Sequence, residues 1–315
     1  MGYQTTALRP LLAAILAMLA GACGEPGPSV ELRLHLRAGD VYRVWTVTEQ
    51  TMAGADSMRQ SIGLATTYRV ESLGDGGIAT VRVSYDSASF AGSGPGGPVN
   101  ITSADTLADI PPAAAGYLAL VGHGFTMMLA PNGQVARIDG GDELRRSIAE
   151  RLTGSNKFMA GVVDGYLRSI FSDSALRASM EQSFALYPTR QSAVGDTWAR
   201  EFRLAAPYPM VLESKYELTS RSGGIATVEM ETAMESYEQK PDGSAPSLRF
   251  DYDLTGKQRG TIMIRESDGW VIESNAMQEF SGTIRQGSGM DSGRGTAYPV
   301  DVRASVVTKL LDTPP

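Results

Sequence analysis

Cysteine is almost absent from this sequence, since Cys23 is the only one among 315 residues. A single cysteine cannot close an intramolecular disulfide, so the fold must be held together by its core. Histidine is nearly as rare, with only His35 and His123. No Cys-x-x-Cys, His-x-x-x-His or Asp-x-Asp-x-Asp-Gly spacing occurs, and we therefore predict neither a metal site nor a cofactor.

Positive charge is also in short supply. The chain has 28 lysine and arginine residues against 35 aspartate and glutamate residues, which gives a net charge of −7 at pH 7. Its basic residues are scattered along the sequence, without the concentrated positive footprint of a nucleic-acid-binding protein. They also form no polybasic segment of the kind that binds anionic lipid. We predict no nucleic-acid partner.

The sequence lacks a long hydrophobic run as well. Its apolar stretch Leu11 to Ala20 has ten residues, whereas a transmembrane helix needs about 20. Arg9 precedes this stretch and the small residues 20–22 follow it, which is typical of a secretory signal peptide. Cys23 comes next, in the position of a bacterial lipobox, where the thiol takes a diacylglycerol. The alternative is an ordinary signal peptide with an incidental cysteine, although a lone exposed thiol is a liability in an exported protein.

We therefore predict a signal peptide at 1–22 and lipidation of Cys23, followed by a lipidated tether at 23–30. Acyl chains contribute about 0.8 kcal/mol per buried CH₂, so such an anchor needs no further membrane segment. Gly24, and not aspartate, follows the cysteine, which favours the outer membrane in many Gram-negative bacteria. We expect an envelope lipoprotein on the periplasmic or outer surface of that membrane.

The mature chain has the alternation of β-strands. Glu31 to Arg37 alternates leucine with polar residues, and Ala79 to Tyr85 alternates in the same way, so each predicts a half-buried strand. Tyr42 to Thr48 is rich in aromatic and β-branched residues. Asn132-Gly133 predicts a hairpin turn, and Val300 to Val306 predicts a closing strand.

These patterns occur twice. Gly195-Asp196-Thr197-Trp198 resembles Gly39-Asp40-Val41-Tyr42, and Gly223 to Val228 repeats the sequence of Gly76 to Val81. Asp268-Gly269 takes the place of Asn132-Gly133. Three landmarks in the same order favour an internal duplication.

Between the two halves the apolar period changes to that of helices. Leu144, Ile148 and Leu152 form one stripe, Leu176, Met180 and Phe184 form another, and Val163, Leu167 and Ile170 lie between them. We predict a mainly β (α+β) fold with two similar antiparallel β halves, at 31–140 and 189–315, and a helical insert at 141–188. The Gly/Pro tract Ala91 to Pro98 and the Gly/Ser-rich Arg285 to Thr296 are predicted to be loops.

The lipobox and the duplicated Gly-Asp-x-Tyr/Trp and Gly-Gly-x-Ala-x-Val motifs resemble a bacterial lipoprotein family that is defined only as a domain of unknown function. Val194 to Trp198 is the most specific segment. The resemblance covers nearly the whole mature chain, and it implies no catalytic residues.

Candidate chemistry is sparse. Gly92 to Gly97 satisfies G-x-G-x-x-G, but Pro98 follows where a dinucleotide site needs a helix. His123 lies between two glycines, which fits a polar turn better than a catalytic base, and His35 lies on the wet side of its predicted strand. Asp251 and Asp253 could pair as acid and base, but exposed strand carboxylates are commoner in an acidic protein. We predict that the protein is not an enzyme.

Two functions stay open. The first is a non-catalytic binding or structural module with a protein partner, which requires an exposed patch or groove. The second is a carrier of a lipid or other apolar ligand in a cavity between sheet and helices. Six methionines could line such a cavity or belong to an ordinary core: Met127, Met128, Met159, Met180, Met210 and Met263.

Overall fold

The computed structural model describes residues 28–53, 57–94, 97–105, 112–153, 164, 167–168, 170–204, 208–238, 249–288 and 291–311. Across these residues the chain forms one large antiparallel sheet with three helices, so the predicted mainly β fold is confirmed. The strands are β1 (Val41–Ala53), β2 (Met58–Leu73), β3 (Ala79–Gly94), β4 (Gly97–Thr102), β5 (Gly124–Leu129), β6 (Val135–Asp139), β7 (Thr197–Leu204), β8 (Met210–Ser222), β9 (Ile225–Ser236), β10 (Arg249–Arg265), β11 (Val271–Ser288) and β12 (Asp291–Leu311). The helices are α1 (Pro112–Leu120), α2 (Gly141–Thr153) and α3 (Asp173–Phe184).

The two halves share this one sheet. Its strand order is β6-β5-β3-β2-β1-β12-β11-β10-β9-β8-β7, with β4 added beside β3. The halves are joined where β12 pairs with β1, for example at Thr46 opposite Thr308. Each half is therefore a meander of neighbouring strands, and β12 is the strand that connects them.

The halves repeat local detail as well as strand order. The pairing of β2 with β3 shifts register between Val70 and Ser72, and that of β8 with β9 shifts between Leu218 and Ser220. The backbone N–H of Gly39 donates to the Val70 carbonyl at 2.8 Å, and that of Gly195 donates to the Leu218 carbonyl at 2.7 Å. Matched bulges and matched turn bonds support an internal duplication.

The helices cover one face of the sheet, which we call the core face. Phe125 and Met127 of β5 pack there with Leu144 and Ile148 of α2, and all four are buried. Helix α3 contacts both β6 and β7, the two ends of the strand order. The predicted stripes of α2 and α3 are confirmed, whereas Val163 lies outside the described residues.

The segment Glu31 to Arg37 is not a strand of the sheet, and this prediction was wrong. Leu32 and Leu34 are buried, as the alternation required. However, the backbone N–H of Leu34 donates to Pro131 and that of His35 donates to Asp268, each at 2.8 Å. The segment thus crosses the ends of the strands and bonds to turns. We call this end of the sheet, formed by the segment and the turns at Pro131–Gly133 and Asp268–Gly269, the tether end.

Two predicted loops are also mostly strand. Residues Ala91 to Gly94 belong to β3 and pair with β4, for example Gly92 with Val99. Strands β11 and β12 run through much of Arg285 to Thr296, with Arg285 opposite Ala297. Glycine lowers strand propensity, but long neighbouring strands supply the ladder hydrogen bonds that hold these residues extended.

Candidate functional site: a cleft on the open face of the sheet

A cleft of about 1380 Å³ crosses seven strands of the sheet, from β3 to β9. It is far larger than the cavities of 350 to 420 Å³ found elsewhere in the described residues. At about 4.8 Å between neighbouring strands, seven strands span about 29 Å. Of the described residues that line it, none belongs to a helix.

The strand registers place this cleft on the face opposite the helices, which we call the open face. Successive side chains of a strand point to opposite faces. On β12, Val302 and Ala304 are buried on the core face, so Arg303 and Ser305 point to the open face. The pairings that start from Ser305 define one row of open-face cleft residues: Ala91, Ser61, Glu49, Ser305, Met277, Arg259 and Glu231.

Met277 is the notable apolar group of this row. It is 73% exposed, more than any other large hydrophobic side chain among the described residues. Its neighbours across the strands are Arg259 and Ser305. Isolated exposed apolar residues are normal, but one in the middle of a broad cleft marks a surface suited to contact.

Charged side chains surround the methionine in pairs. Lys257 lies 2.8 Å from Glu279, and Arg259 lies 3.2 Å from Glu231. The hydrogen bond from Lys257 lowers the pKa of Glu279 below its ordinary value. The carboxylate therefore stays ionised at any pH near neutrality.

Two further arginines line the cleft and form no ion pair within 4.0 Å among the described residues. Arg59 and Arg303 both pair with Thr51 in register, so they flank β1 on either side. Within the described part of the chain, neither guanidinium has a carboxylate oxygen within 4.0 Å. Arg303 lies opposite Glu279 in register, and its charge helps to lower the pKa of that carboxylate, whereas Arg59 has no such acid in the ion pairs of the described residues. Both guanidiniums keep donors that an acidic group of a bound partner could accept from.

The tether end holds a second polar cluster with a different character. The Tyr42 hydroxyl donates to Asp40 at 3.3 Å or to Asp268 at 3.2 Å, and Arg265 pairs with Asp268 at 2.6 Å. The rings of Tyr42 and Trp270 stack 3.8 Å apart at 7°. Every polar group of this cluster has a partner, so the arrangement is that of a structural junction.

The pKa values at this junction follow from burial and charge. Burial, with Asp268 and Asp40 nearby, raises the pKa of Tyr42 well above its ordinary value. Burial alone would raise the pKa of Asp268 too, but hydrogen bonds from Arg265, from the Trp270 backbone and from Tyr42 bring it below its ordinary value. A neutral phenol therefore donates to an ionised carboxylate.

The residues singled out in the sequence do not converge. Cys23 lies outside the described residues. Asp251 and Asp253 are exposed on β10, His35 is exposed and His123 is half-buried. Within the described residues, no hydrogen bond joins any of these four side chains to another. Nor does any group of three or more His, Cys, Asp or Glu in that part of the chain have the arrangement of a metal site.

The predicted methionine set does not line the cleft through its side chains. Met127 and Met210 are buried in the core, and Met128, Met180 and Met263 are half-buried; Met159 lies outside the described residues. The methionines that line the cleft are Met277 and the core-packed Met230, and sequence reasoning missed both. Only Met277 is largely exposed. Its signal was visible, because it occupies the polar phase of a strand between Asn275 and Glu279.

None of the described helices combines the length and the apolar character that a bilayer crossing requires.

A family model matches residues 76–271, which is more than half of the sequence and runs from the β2–β3 turn to the start of β11. The chain belongs to DUF6263, a family of unknown function. The match includes both copies of the Gly-Gly-Ile-Ala-Thr-Val hairpin and both hairpin turns at the tether end. No curated protein gives a significant match.

Two solved structures show what the fold is similar to. One, described as lipid–protein interactions in lipovitellin, has a TM-score of 0.45 and 10% identity, and the alignment covers 88% of this chain. This chain spans only 25% of that lipovitellin chain. The other is the outer membrane protein opdK from Pseudomonas aeruginosa, with a TM-score of 0.17, 10% identity, and coverage of 86% of this chain and 99% of that one.

Proposed function

We propose that this protein is a lipid-anchored envelope protein that binds a partner protein in the open-face cleft and catalyses no reaction. The signal peptide and Cys23 supply the anchor, and the cleft supplies the binding surface. The observation that carries the proposal is the broad cleft on a sheet face that no described helix covers.

The size and lining of the cleft favour a macromolecular partner. Small-molecule pockets usually have volumes of about 300–1,000 Å³ and enclose most of their ligand, whereas this cleft exceeds that range and is open along the sheet. It contains the exposed Met277 and two arginines, Arg59 and Arg303, that have no carboxylate oxygen within 4.0 Å among the described residues. Methionine and arginine are both enriched in protein interfaces, while charged pairs are typical of their rims.

The alternative is a carrier of a lipid or other apolar ligand between sheet and helices. The large cleft lies on the other side of the sheet from the helices, so it does not supply the cavity that this alternative requires. Native and denaturing mass spectra of the chain exported from Gly24 onward test it directly. A defined extra mass that leaves on denaturation would make the protein a carrier.

The binding proposal is tested by photo-crosslinking in cells. A photoreactive residue at position 277 should give a discrete protein adduct, because it lies in the cleft. The matched control is position 298, since Tyr298 is 47% exposed but points to the core face of the same sheet. Equal adducts at both positions, or none at 277, would contradict the proposal.

Charge reversal identifies the recognition chemistry. Arg59→Glu with Arg303→Glu should abolish the adduct at position 277, while Arg82→Glu, an exposed arginine outside the cleft lining, should leave it unchanged. The anchor is tested separately: labelled palmitate should enter the wild type and not Cys23→Ser.

A further inference from the structure

The chain enters the fold at the tether end, and several hydrogen bonds fix it there. The Pro28 carbonyl accepts from the Arg221 guanidinium, beside the β8–β9 turn. Val30 and Ser192 exchange backbone hydrogen bonds of 2.8 and 2.9 Å. With the bonds from Leu34 and His35 to the two hairpin turns, the entry segment is held by four separate connections of the fold.

The distance from the anchor to this entry point is limited by chain length. Cys23 and Pro28 are five residue steps apart, and at 3.3–3.6 Å each these steps span at most about 18 Å. Strand β10 has 17 residues, so its far end lies roughly 55 Å from the tether end. A lipid on Cys23 therefore keeps the tether end close to the bilayer and leaves the far end out of reach of the tether.

The tether end presents apolar side chains to solvent. Six large hydrophobic side chains are exposed among the described residues, and Leu73, Val194 and Leu311 lie at this end. Leu73 is 45% and Val194 is 50% exposed. Leu73 is the last residue of β2 and Val194 lies in the connection before β7, so each can enter a headgroup layer without disturbing the interior of the sheet.

Negative charge at this end is partly neutralised, although the protein as a whole is acidic. Glu31 pairs with Arg33 at 3.2 Å, Glu266 with Arg221 at 2.8 Å, and Asp268 with Arg265 at 2.6 Å. Arg37 and His35 are exposed beside these pairs. Towards the opposite end of β10, Asp251 and Asp253 are exposed acids, and Arg285 lies opposite Asp251 in register.

We infer that the tether end is a membrane-contacting surface, on which Leu73 and Val194 enter the headgroup layer and Arg37 meets lipid phosphates. The sheet then stands away from the bilayer and the open-face cleft stays in the aqueous phase. This inference rests on the lipid anchor of the proposed function. The surface that the tether end contacts is the bilayer itself, because the short tether holds this end of the sheet next to the membrane.

The single cysteine makes the test clean, since acylation consumes Cys23 and any new cysteine is a unique label. Leu73→Cys and Val194→Cys report on the tether end, and Phe250→Cys and Tyr298→Cys, with native exposures of 44% and 47%, report on the far end. Each full-length lipoprotein is labelled with a fluorophore and reconstituted into phosphatidylethanolamine–phosphatidylglycerol vesicles that contain headgroup spin labels. We expect quenching at 73 and 194 to exceed that at 250 and 298 several-fold.

Equal quenching at both ends, or stronger quenching at the far end, overturns the orientation. Failure of the wild type to sediment with the vesicles instead overturns the anchor, so the two failures are distinguishable. Arg37→Glu should lower quenching at 194 in anionic vesicles and have less effect in purely zwitterionic ones. Arg285→Glu, at the far end of β11, should change neither, and an equal effect of both reversals would also contradict the inference.

Discussion

The hairpins β5–β6 and β10–β11 begin alike and end differently. Both have a bulge just before the turn, between Met128 and Leu129 and between Met263 and Ile264. After the turn, β6 ends at Asp139 and the chain leaves for α2, whereas β11 continues to Ser288. Met277 lies in this continuation, so the second half contributes to the cleft a stretch of strand that the β5–β6 hairpin lacks.

The turns themselves show the same divergence. Gly133 and Gly269 both have positive φ, at 82° and 73°. The side chain before the first glycine is Asn132, which bonds only within its own turn, whereas Asp268 binds Arg265 and Tyr42. Both turns accept a backbone hydrogen bond from the entry segment, but only the second has added a charged side-chain junction with Arg265 and Tyr42.

The largest effect is expected from closing the space at these glycines. A Cβ on Gly269 would overlap the Arg33 carbonyl oxygen, and one on Gly133 would overlap that of Phe184. Positive φ adds strain to this overlap with backbone, so Gly269→Ala and Gly133→Ala should each lower the free energy of unfolding by about 5 kcal/mol. Gly39→Ala is the matched control, since φ is 95° but no atom lies within 4 Å of its Cβ. Urea unfolding should show a clearly smaller loss there.

The next largest loss of stability is expected from replacing a tryptophan, and two tryptophans can be compared. Trp270 is 3% exposed and packs against the rings of Tyr42, Tyr68 and Phe184, whereas Trp198 is half-buried and stacks on Tyr216. Trp270→Ala should cost about 4 kcal/mol of stability. Trp198→Ala should cost less in the same denaturation experiment, and the reverse order would contradict the central role of the tether-end junction.

A smaller effect is expected from the turn acid. Asp268→Asn keeps the turn but loses the charge that Arg265 and Tyr42 bind, so about 2 kcal/mol should be lost at pH 7. The pKa of Asp268 is lower when folded than when unfolded, so its contribution is complete above about pH 5 and is lost as the pH falls through the folded pKa. Stability measured from pH 7 to pH 3 should therefore fall less steeply in the variant. Asn132→Asp is the control, because the hydrogen bonds of the Asn132 side chain go to Gln134 and none goes to an arginine within the described residues.

The smallest effect on stability is expected for a substitution in the part of β11 that has no equivalent in the first half. Met277→Ser should change the free energy of unfolding by no more than about 0.5 kcal/mol, since the side chain is largely exposed. The same variant should weaken partner binding in a pull-down with the purified partner. Loss of stability without loss of binding would show that Met277 is a packing residue.

Much of the fold could be read from the sequence, because alternation and repetition are local. The strand from Ala79, the stripe at Leu144 and the repeated Gly-Gly hairpin were all predicted. The alternation at Glu31 to Arg37 correctly predicted that its leucines are buried. It could not predict that the backbone N–H groups of this segment bond to turns and not to a neighbouring strand. Helix α1 was missed because Pro112–Leu120 is apolar on nearly all sides and shows no amphipathic period.

The cleft could not be predicted from local sequence patterns, and the reason is physical. Arg59 and Arg303 lie 244 residues apart in sequence. They flank Thr51 on either side only because β1 pairs with both of their strands. No periodicity within one strand reports such pairing, which depends on the register of the whole sheet. Only Met277, an apolar residue at a polar position of its strand, indicated the cleft in the local sequence.

The joining of the halves by β12 has a consequence for biogenesis. Trp45 of β1 pairs with Lys309, so this seam forms only after residues near position 309 have been synthesised. Until then β1 and β11 each present a bare row of backbone hydrogen-bonding groups, which is a template for pairing with other chains. We therefore expect truncated chains that lack β12 to associate through these two strands and to aggregate.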